Sequence, residues 1–276
     1  MLKEGFFDKI YYRFWELDNK ADAVANVFAI HGLGGHSAWF ESLAGILNKN
    51  QVNCFVFDLP GFGKSDYPKG DIDSYETWVN VTRDVLKKFL LNFQVMSPVF
   101  VLGHSLGALI SILLNEKVKA NGWILSVPGF EGNNKTFPLS TFLLPALFKA
   151  LTKSKETVTV PFGPELLTKN KKMQQKIKKD PLRVINMSAQ MIMQTYLLSL
   201  KAKRSYGLIS EPVLMLMADK DTVCSNKAME KFFNEINAPD KSKKNYTESL
   251  HDLFIEDEMP QIAHDIADWV KLRVNI

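Results

Sequence analysis

Cysteine is scarce in this chain, with Cys54 and Cys224 the only two among 276 residues. Two thiols cannot build the disulfide framework of a small secreted domain, so reduced cysteines in a reducing compartment are expected. Long hydrophobic runs are missing too. The longest, residues 137–151, contains two prolines and a lysine, and it is shorter than the ~20 apolar residues a membrane-spanning helix needs. The N-terminal residues lack a basic region followed by an apolar stretch, so no cleaved signal peptide is expected. A cytoplasmic protein is the resulting expectation. Neither sign of charge dominates: 34 Lys and Arg against 30 Asp and Glu give a net +4. No basic stripe is interleaved with stacking aromatics, which argues against a nucleic-acid partner. The chain has no H-E-x-x-H and no paired Cys/His ligands, so no metal is expected. Gly32-x-Gly34 follows an apolar run without completing G-x-G-x-x-G, and Gly63-Lys64-Ser65 resembles the tail of a phosphate loop whose first glycine would be Asp58. Neither makes a phosphate cradle. No cofactor is expected.

What remains is an ordinary globular composition, 46% hydrophobic and 23% charged, long enough for one large core and a modest insertion. Short apolar runs recur at 9–15, 24–30, 52–57, 99–102, 122–127 and 213–217, with a last strand expected at 245–250. Helical stretches separate them. Tyr75, Trp78, Thr82, Val85, Leu86, Phe89 and Phe93 recur at 3.6-residue spacing after a capping-box-like Asp73 and Glu76. Met229, Phe232, Phe233 and Ile236 mark another helix, and Ile262, Ile266 and Trp269 a third, with Pro260 in its first turn. This alternation predicts a parallel sheet covered on both faces. Residues 131–206 break it, with helix-like stretches and no clear strand. The expected organisation is a core of residues 1–130 and 207–276, with 131–206 inserted as a helical cap over the carboxyl edge of the sheet.

The strongest motif is Gly103-His104-Ser105-Leu106-Gly107, placed between the run 99–102 and an apolar helical stretch. This is G-x-S-x-G in its strand-to-helix context. A serine on so tight a turn needs neighbours without side chains two residues either side. A free serine hydroxyl is a weak nucleophile and needs a base. Of the five histidines, His31 and His36 bracket a glycine-rich loop, His104 sits on the turn and is expected to point away, and His264 falls within the last helix. His251 follows the last expected strand and fits the chain order serine, acid, histidine. The acid should lie after the strand 213–217, where Asp219 and Asp221 stand. Asp221, later in the turn and directly before a short apolar pair, is the choice, with Asp219 as the fallback and otherwise a turn or cap residue. Asp252 is too close to His251 in the chain to orient its ring. The glycines of His31-Gly32-Leu33-Gly34-Gly35 let backbone amides approach a reacting carbonyl, which nominates the N–H groups of Leu33 and Leu106 as an oxyanion hole.

Taken together, His31-Gly32 after a strand, Asp58-x-x-Gly61-x-Gly63-x-Ser65, Gly-His-Ser-Leu-Gly and the late Asp and His resemble the α/β-hydrolase superfamily. More narrowly, the loop from His31 to Ser37, the stretch 165–170 with Asp180-Pro181-Leu182 after it, and Asp221-x-x-Cys224 are similar to the monoacylglycerol lipase and lysophospholipase group. The resemblance covers nearly the whole chain. It implies an eight-stranded, mostly parallel sheet with helices on both faces, a helical cap shaping an acyl pocket, no cofactor, and cleavage of single-chain lipid esters through an acyl-enzyme on Ser105. The group's contacts to glycerol include an acidic residue, an arginine and a second histidine, where this chain has Gly35, Trp39 and Phe254. These three positions are therefore expected to make an apolar alcohol side. The competing readings are a hydrolase of carbon–carbon or amide bonds and a binding protein without turnover. An intact nucleophile, base, acid and glycine loop argues against the binding protein, and an acyl-chain-length series on esters would separate the two hydrolases. The lysine-rich run 169–179 reads as a solvated helix face, or as a patch that lets the cap touch an anionic membrane surface. Nothing in the sequence fixes an oligomeric state.

Overall fold

The computed structural model describes residues 1–133, 136, 144–145, 149 and 157–274. An eight-stranded sheet runs through the centre in the order β1-β2-β4-β3-β5-β6-β9-β10. Its strands are β1 (Leu2–Phe7), β2 (Ile10–Trp15), β3 (Ala25–Ile30), β4 (Val52–Phe57), β5 (Val99–His104), β6 (Gly122–Ser126), β9 (Val213–Ala218) and β10 (Lys241–Tyr246). The pairings β1–β2 and β2–β4 are antiparallel and every other pairing is parallel. Every residue of β3, β4, β6 and β9 is buried, as expected of strands covered on both faces. Among the described residues the covering helices are α1 (Glu41–Lys49), α2 (Tyr75–Asn92), α3 (Leu106–Leu114), α7 (Asn226–Glu235) and α8 (Met259–Lys271). The chain has the α/β-hydrolase fold.

Two edge strands depart from the sequence reading. β1, with exposed and half-exposed residues alternating, gave no apolar run and was not expected. The last strand is Lys241–Tyr246 rather than 245–250, because an edge strand with one neighbour carries polar residues that hide its period. α2 starts one residue later than the Asp73 reading: Ser74 is its N-cap, and its side chain accepts from the Glu76 N–H.

Between β6 and β9 lie two short antiparallel strands, β7 (Thr157–Thr159) and β8 (Asn186–Ser188), which the helix-only expectation missed. With them are α4 (Pro164–Leu167), α5 (Lys171–Lys178) and α6 (Ala189–Lys203). α6 packs on α3, which lies directly behind the Ser105 turn. α5 buries Ile177 and half-buries Met173, leaving most of its lysines to solvent. Apart from Leu144, Pro145 and Lys149, the apolar run 137–151 lies outside the described residues. No helix among the described residues is long and apolar enough to cross a membrane.

The strand order reverses between β3 and β5. Connections leave the carboxyl ends of these neighbours in opposite directions, opening the crevice where open α/β sheets bind ligands. The His31–Gly35 loop follows β3 and Ser105 follows β5, so both lie at this crevice.

Candidate active site

Ser105 sits on the turn between β5 and α3 with φ +52° and ψ −109°. An L-residue adopts such a conformation only when its surroundings force it, and here close packing does. A Cβ on Gly103 would lie 2.3 Å from the Gly107 carbonyl oxygen, and one on Gly107 would lie 2.2 Å from the Ile30 carbonyl oxygen. Only glycine lets the turn sit this close to itself and to β3.

His251 Nε2 lies 3.0 Å from Ser105 Oγ, and His251 Nδ1 lies 2.8 Å from Asp221 Oδ2. A carboxylate only accepts, so Nδ1 carries the proton and donates to Asp221. Nε2 of the neutral ring then accepts from the serine hydroxyl. Asp221 is fixed in turn, because its Oδ1 accepts from the Val223 and Cys224 N–H groups at 2.8 and 2.9 Å. Asp219 is exposed and accepts from the Asn245 amide instead. Burial disfavours the charged His251 ring, but the Asp221 carboxylate outweighs it and raises the imidazole well above its ordinary 6.5. Burial pushes the Cys224 thiol up, so it stays protonated beside the pair. Ligand atoms of Asp221, Cys224 and His251 lie within 4.8 Å of one another, but both Asp221 oxygens and the His251 Nδ1 are already committed to hydrogen bonds.

The loop after β3 is held by two buried groups of the core. His31 Nδ1 donates to the Gly32 carbonyl at 2.8 Å, and its Nε2 accepts from the Leu59 N–H at 2.9 Å. That pattern requires a neutral ring, and burial lowers this imidazole to about 4. Asp58 accepts from the Ser37 N–H through Oδ1 and the Lys64 N–H through Oδ2, each at 2.7 Å. The Asp58-x-x-Gly-x-Gly-x-Ser stretch therefore ties the loop down; Ser65 Oγ donates to the Asp58 carbonyl. Gly32 passes against the serine turn so closely that a Cβ there would lie 3.3 Å from Ser105 Cβ. Among the described residues neither the Leu33 nor the Leu106 N–H has a protein acceptor.

Two sequence expectations fail here. His104 does not turn away from the site: its ring lies 5.5 Å from that of His251, with Nδ1 3.2 Å from Ser126 Oγ and Nε2 3.7 Å from Asp252 Oδ1. At the end of β5 its ring packs between those of His251 and Phe254. Phe254 packs against His104 and Phe40 and lines a second, smaller cavity, not the main one beside Ser105. Gly35 and Trp39 do line the main cavity, and the Trp39 indole donates to Asp180 at 2.9 Å. Two carboxylates carry structural weight that no sequence pattern signals. Asp180 enters the sequence reading only through the resemblance, and it accepts from His36 and Trp39. Glu256 accepts from the Leu250 and Lys169 N–H groups and from Thr168 Oγ1. Both join the inserted segment to the core across long sequence separations, which leave no local pattern.

Ser105 and His251 open onto a cavity of about 420 Å³, within the usual range for small-molecule sites. Leu109, Phe130, Val160, Phe162, Leu167 and Ile192 supply much of its wall, and Glu131 and Lys203, which pair with each other, also line it.

Monoglyceride lipase of Rattus norvegicus is 24% identical over 97% of this chain and 88% of its own. Among solved structures, a soluble variant of monoglyceride lipase from Saccharomyces cerevisiae, in complex with a substrate analog, superposes with a TM-score of 0.88. It is 22% identical and covers 99% of this chain and 96% of its own. The monoacylglycerol lipase of Paleococcus ferrophilus gives a TM-score of 0.83 at 23% identity, covering 96% of this chain and 99% of its own. The family model described as Hydrolase_4, Serine aminopeptidase, S33, matches residues 21–258, and the chain belongs to that hydrolase family.

Proposed function

We propose that the protein is a serine esterase acting on single-chain lipid esters, with Ser105 as nucleophile, His251 as base, Asp221 as the acid and the Leu33 and Leu106 amides as oxyanion hole. The observation that carries this reading is the unbroken hydrogen-bonded chain from Asp221 through His251 to Ser105 at the wall of an apolar cavity. The similarity to monoglyceride lipases supports the ester class. In acylation, His251 Nε2 takes the Ser105 proton as Oγ bonds to the ester carbonyl carbon. The carbonyl oxygen becomes an oxyanion facing the two free amides, each contributing ~3 kcal/mol of transition-state stabilisation. The imidazolium passes its proton to the alkoxide, the C–O bond breaks, and the alcohol leaves. Water then repeats the sequence on the acyl-enzyme and releases the carboxylic acid. No step calls for a cofactor. The segment between β6 and β9 acts as the cap, and its Val160, Phe162, Leu167 and Ile192 make the acyl wall.

A fluorophosphonate probe and an acyl-chain series test this together. The wild-type chain should be labelled and should hydrolyse monoacylglycerols or p-nitrophenyl esters with a rate that rises from short to medium chains. Ser105→Ala should lose the label and at least ~10³ of the turnover. Turnover by Ser105→Ala near the wild-type rate would sink the mechanism. A rate that falls beyond four carbons would move the substrate from lipid esters to small ones.

A further inference from the structure

The loop carrying Leu33 is gripped from two sides, and only one grip belongs to the core. His31 and Asp58 hold it from the sheet. The other hold comes from the segment between β6 and β9, some 140 residues later in the chain. Asp180 Oδ2 accepts from His36 Nε2 at 2.8 Å and from Trp39 Nε1 at 2.9 Å, while its Oδ1 accepts from the Leu182 N–H at 2.9 Å. Four residues on, the Val184 N–H donates to the Gly34 carbonyl at 3.0 Å. The fit there is close enough that a Cβ on Gly34, at φ +79°, would come within 2.6 Å of the Val184 oxygen. Burial works against a charged Asp180, yet the hydrogen bonds from Trp39 and His36 outweigh it and keep the carboxylate below its ordinary range. Charge-assisted bonds of this kind are roughly twice as strong as neutral ones, and two of the three land on residues flanking the oxyanion loop.

The geometry points to Asp180 as a positioning residue that fixes the Leu33 amide toward the reacting carbonyl, so that the oxyanion site is complete only when the inserted segment is seated on the core. This rests on the proposed esterase reading. Asp180 touches no reacting atom; it acts through His36 and Trp39. Because an oxyanion amide acts in the transition state more than in the ground state, a loosened loop should lower kcat and leave KM nearly unchanged.

Asp180→Ala should lower kcat 10- to 100-fold with less than a threefold change in KM, and should weaken binding of a trifluoromethyl ketone analogue by a similar factor. Asp180→Asn keeps an oxygen that accepts from both His36 and Trp39, and should recover most of that loss. Trp39→Phe, which removes one donor and keeps the ring, should fall between wild type and Asp180→Ala, and it serves if Asp180→Ala does not fold. Hydrogen exchange of the peptide 31–39, read by mass spectrometry without any substrate, should quicken in Asp180→Ala. Unchanged kcat and unchanged exchange in folded Asp180→Ala would overturn the assignment, as would losses that simply follow the melting temperature and are not rescued by Asn. If the wild-type chain turns over no ester, the esterase reading fails, and the exchange measurement still decides whether Asp180 holds the loop.

Discussion

At the scale of single residues, His251 is governed by two opposed effects. Burial favours its neutral form, and the Asp221 carboxylate at 2.8 Å favours the charged one and prevails. On the proposed mechanism the neutral form takes the serine proton, so activity should switch on as pH rises through the raised His251 value. Asp221→Asn removes the charge and leaves burial alone, so the acid limb of kcat/KM should move to lower pH. The amide also leaves the imidazole without its acceptor at Nδ1, and a kcat loss on the order of 10⁴ is expected. A pH–rate profile of both proteins checks this. An acid limb that stays in place in Asp221→Asn would mean that the limb reports another group. Trp39 lines both the main cavity and the smaller one beside Phe254 and α5, and so separates them. On the proposed mechanism the leaving alcohol sits near His251 Nε2, and Phe254 lies three residues beyond His251. Trp39→Ala should therefore raise kcat/KM for esters of bulky alcohols relative to methyl esters, measured on a series with one acyl chain. An unchanged ratio would place the alcohol elsewhere.

At the scale of elements, the serine turn and the moorings of the inserted segment differ in how openly the sequence declares them. The turn is a local device. Gly103 and Gly107 are required by contacts of 2.2–2.3 Å with nearby backbone, and an apolar strand and helix flank them, so motif and context are read within a dozen residues. Gly107→Ala should destabilise the fold by about 3 kcal/mol through overpacking against β3, measured as a shift in urea midpoint. The buried strands β3, β4, β5, β6 and β9 were legible for the same reason, since each is a continuous apolar run. Edge strands β1 and β10 were not, because residues facing solvent carry no period that separates strand from loop. The roles of Asp180 and Glu256 were illegible for a different reason: the partners that tie the inserted segment to the core lie 87–144 residues away, and a carboxylate on a helix end or loop looks the same in sequence whether it faces water or a buried amide. His104 and Phe254 show the same limit, since whether a side chain lines a cavity depends on packing that no spacing encodes. Glu256→Ala would strand the Leu250 and Lys169 N–H groups, while the Thr168 hydroxyl keeps the Ile255 carbonyl as acceptor, a loss of roughly 2–4 kcal/mol. Local proteolysis near residues 160–185 should then precede global unfolding. Cleavage there at the wild-type rate would mean that Glu256 is not what moors the segment.

At the scale of the whole molecule, four buried titratable groups around one crevice make stability and activity respond to pH in different directions. His31, lowered by burial from 6.5 to about 4, is neutral in the folded protein but takes a proton when unfolded below pH 6.5. Its contribution of about 3 kcal/mol is complete above pH 6.5 and is lost as pH falls toward 4. Burial lowers His104 as well, also well below its ordinary value, so it acts with the same sign. Asp252 acts oppositely. Burial raises it to about 7, so it contributes about 4 kcal/mol below pH 4 that is lost as pH rises toward 7. His31 and Asp252 nearly cancel between pH 4 and 6.5, and His104 tips the sum toward weaker folding in acid. Above pH 6.5 the histidines below their ordinary value are already neutral in both states, and the raised His251 now loses its stabilisation as it gives up its proton. The urea midpoint should therefore peak near pH 6.5, whereas ester turnover, which on the proposed mechanism needs His251 neutral, should still be rising there. Asp252→Asn leaves the two lowered histidines unopposed and should steepen the fall below the peak. A midpoint that is flat from pH 4 to 6.5 in both proteins would show that these buried groups do not set the acid response.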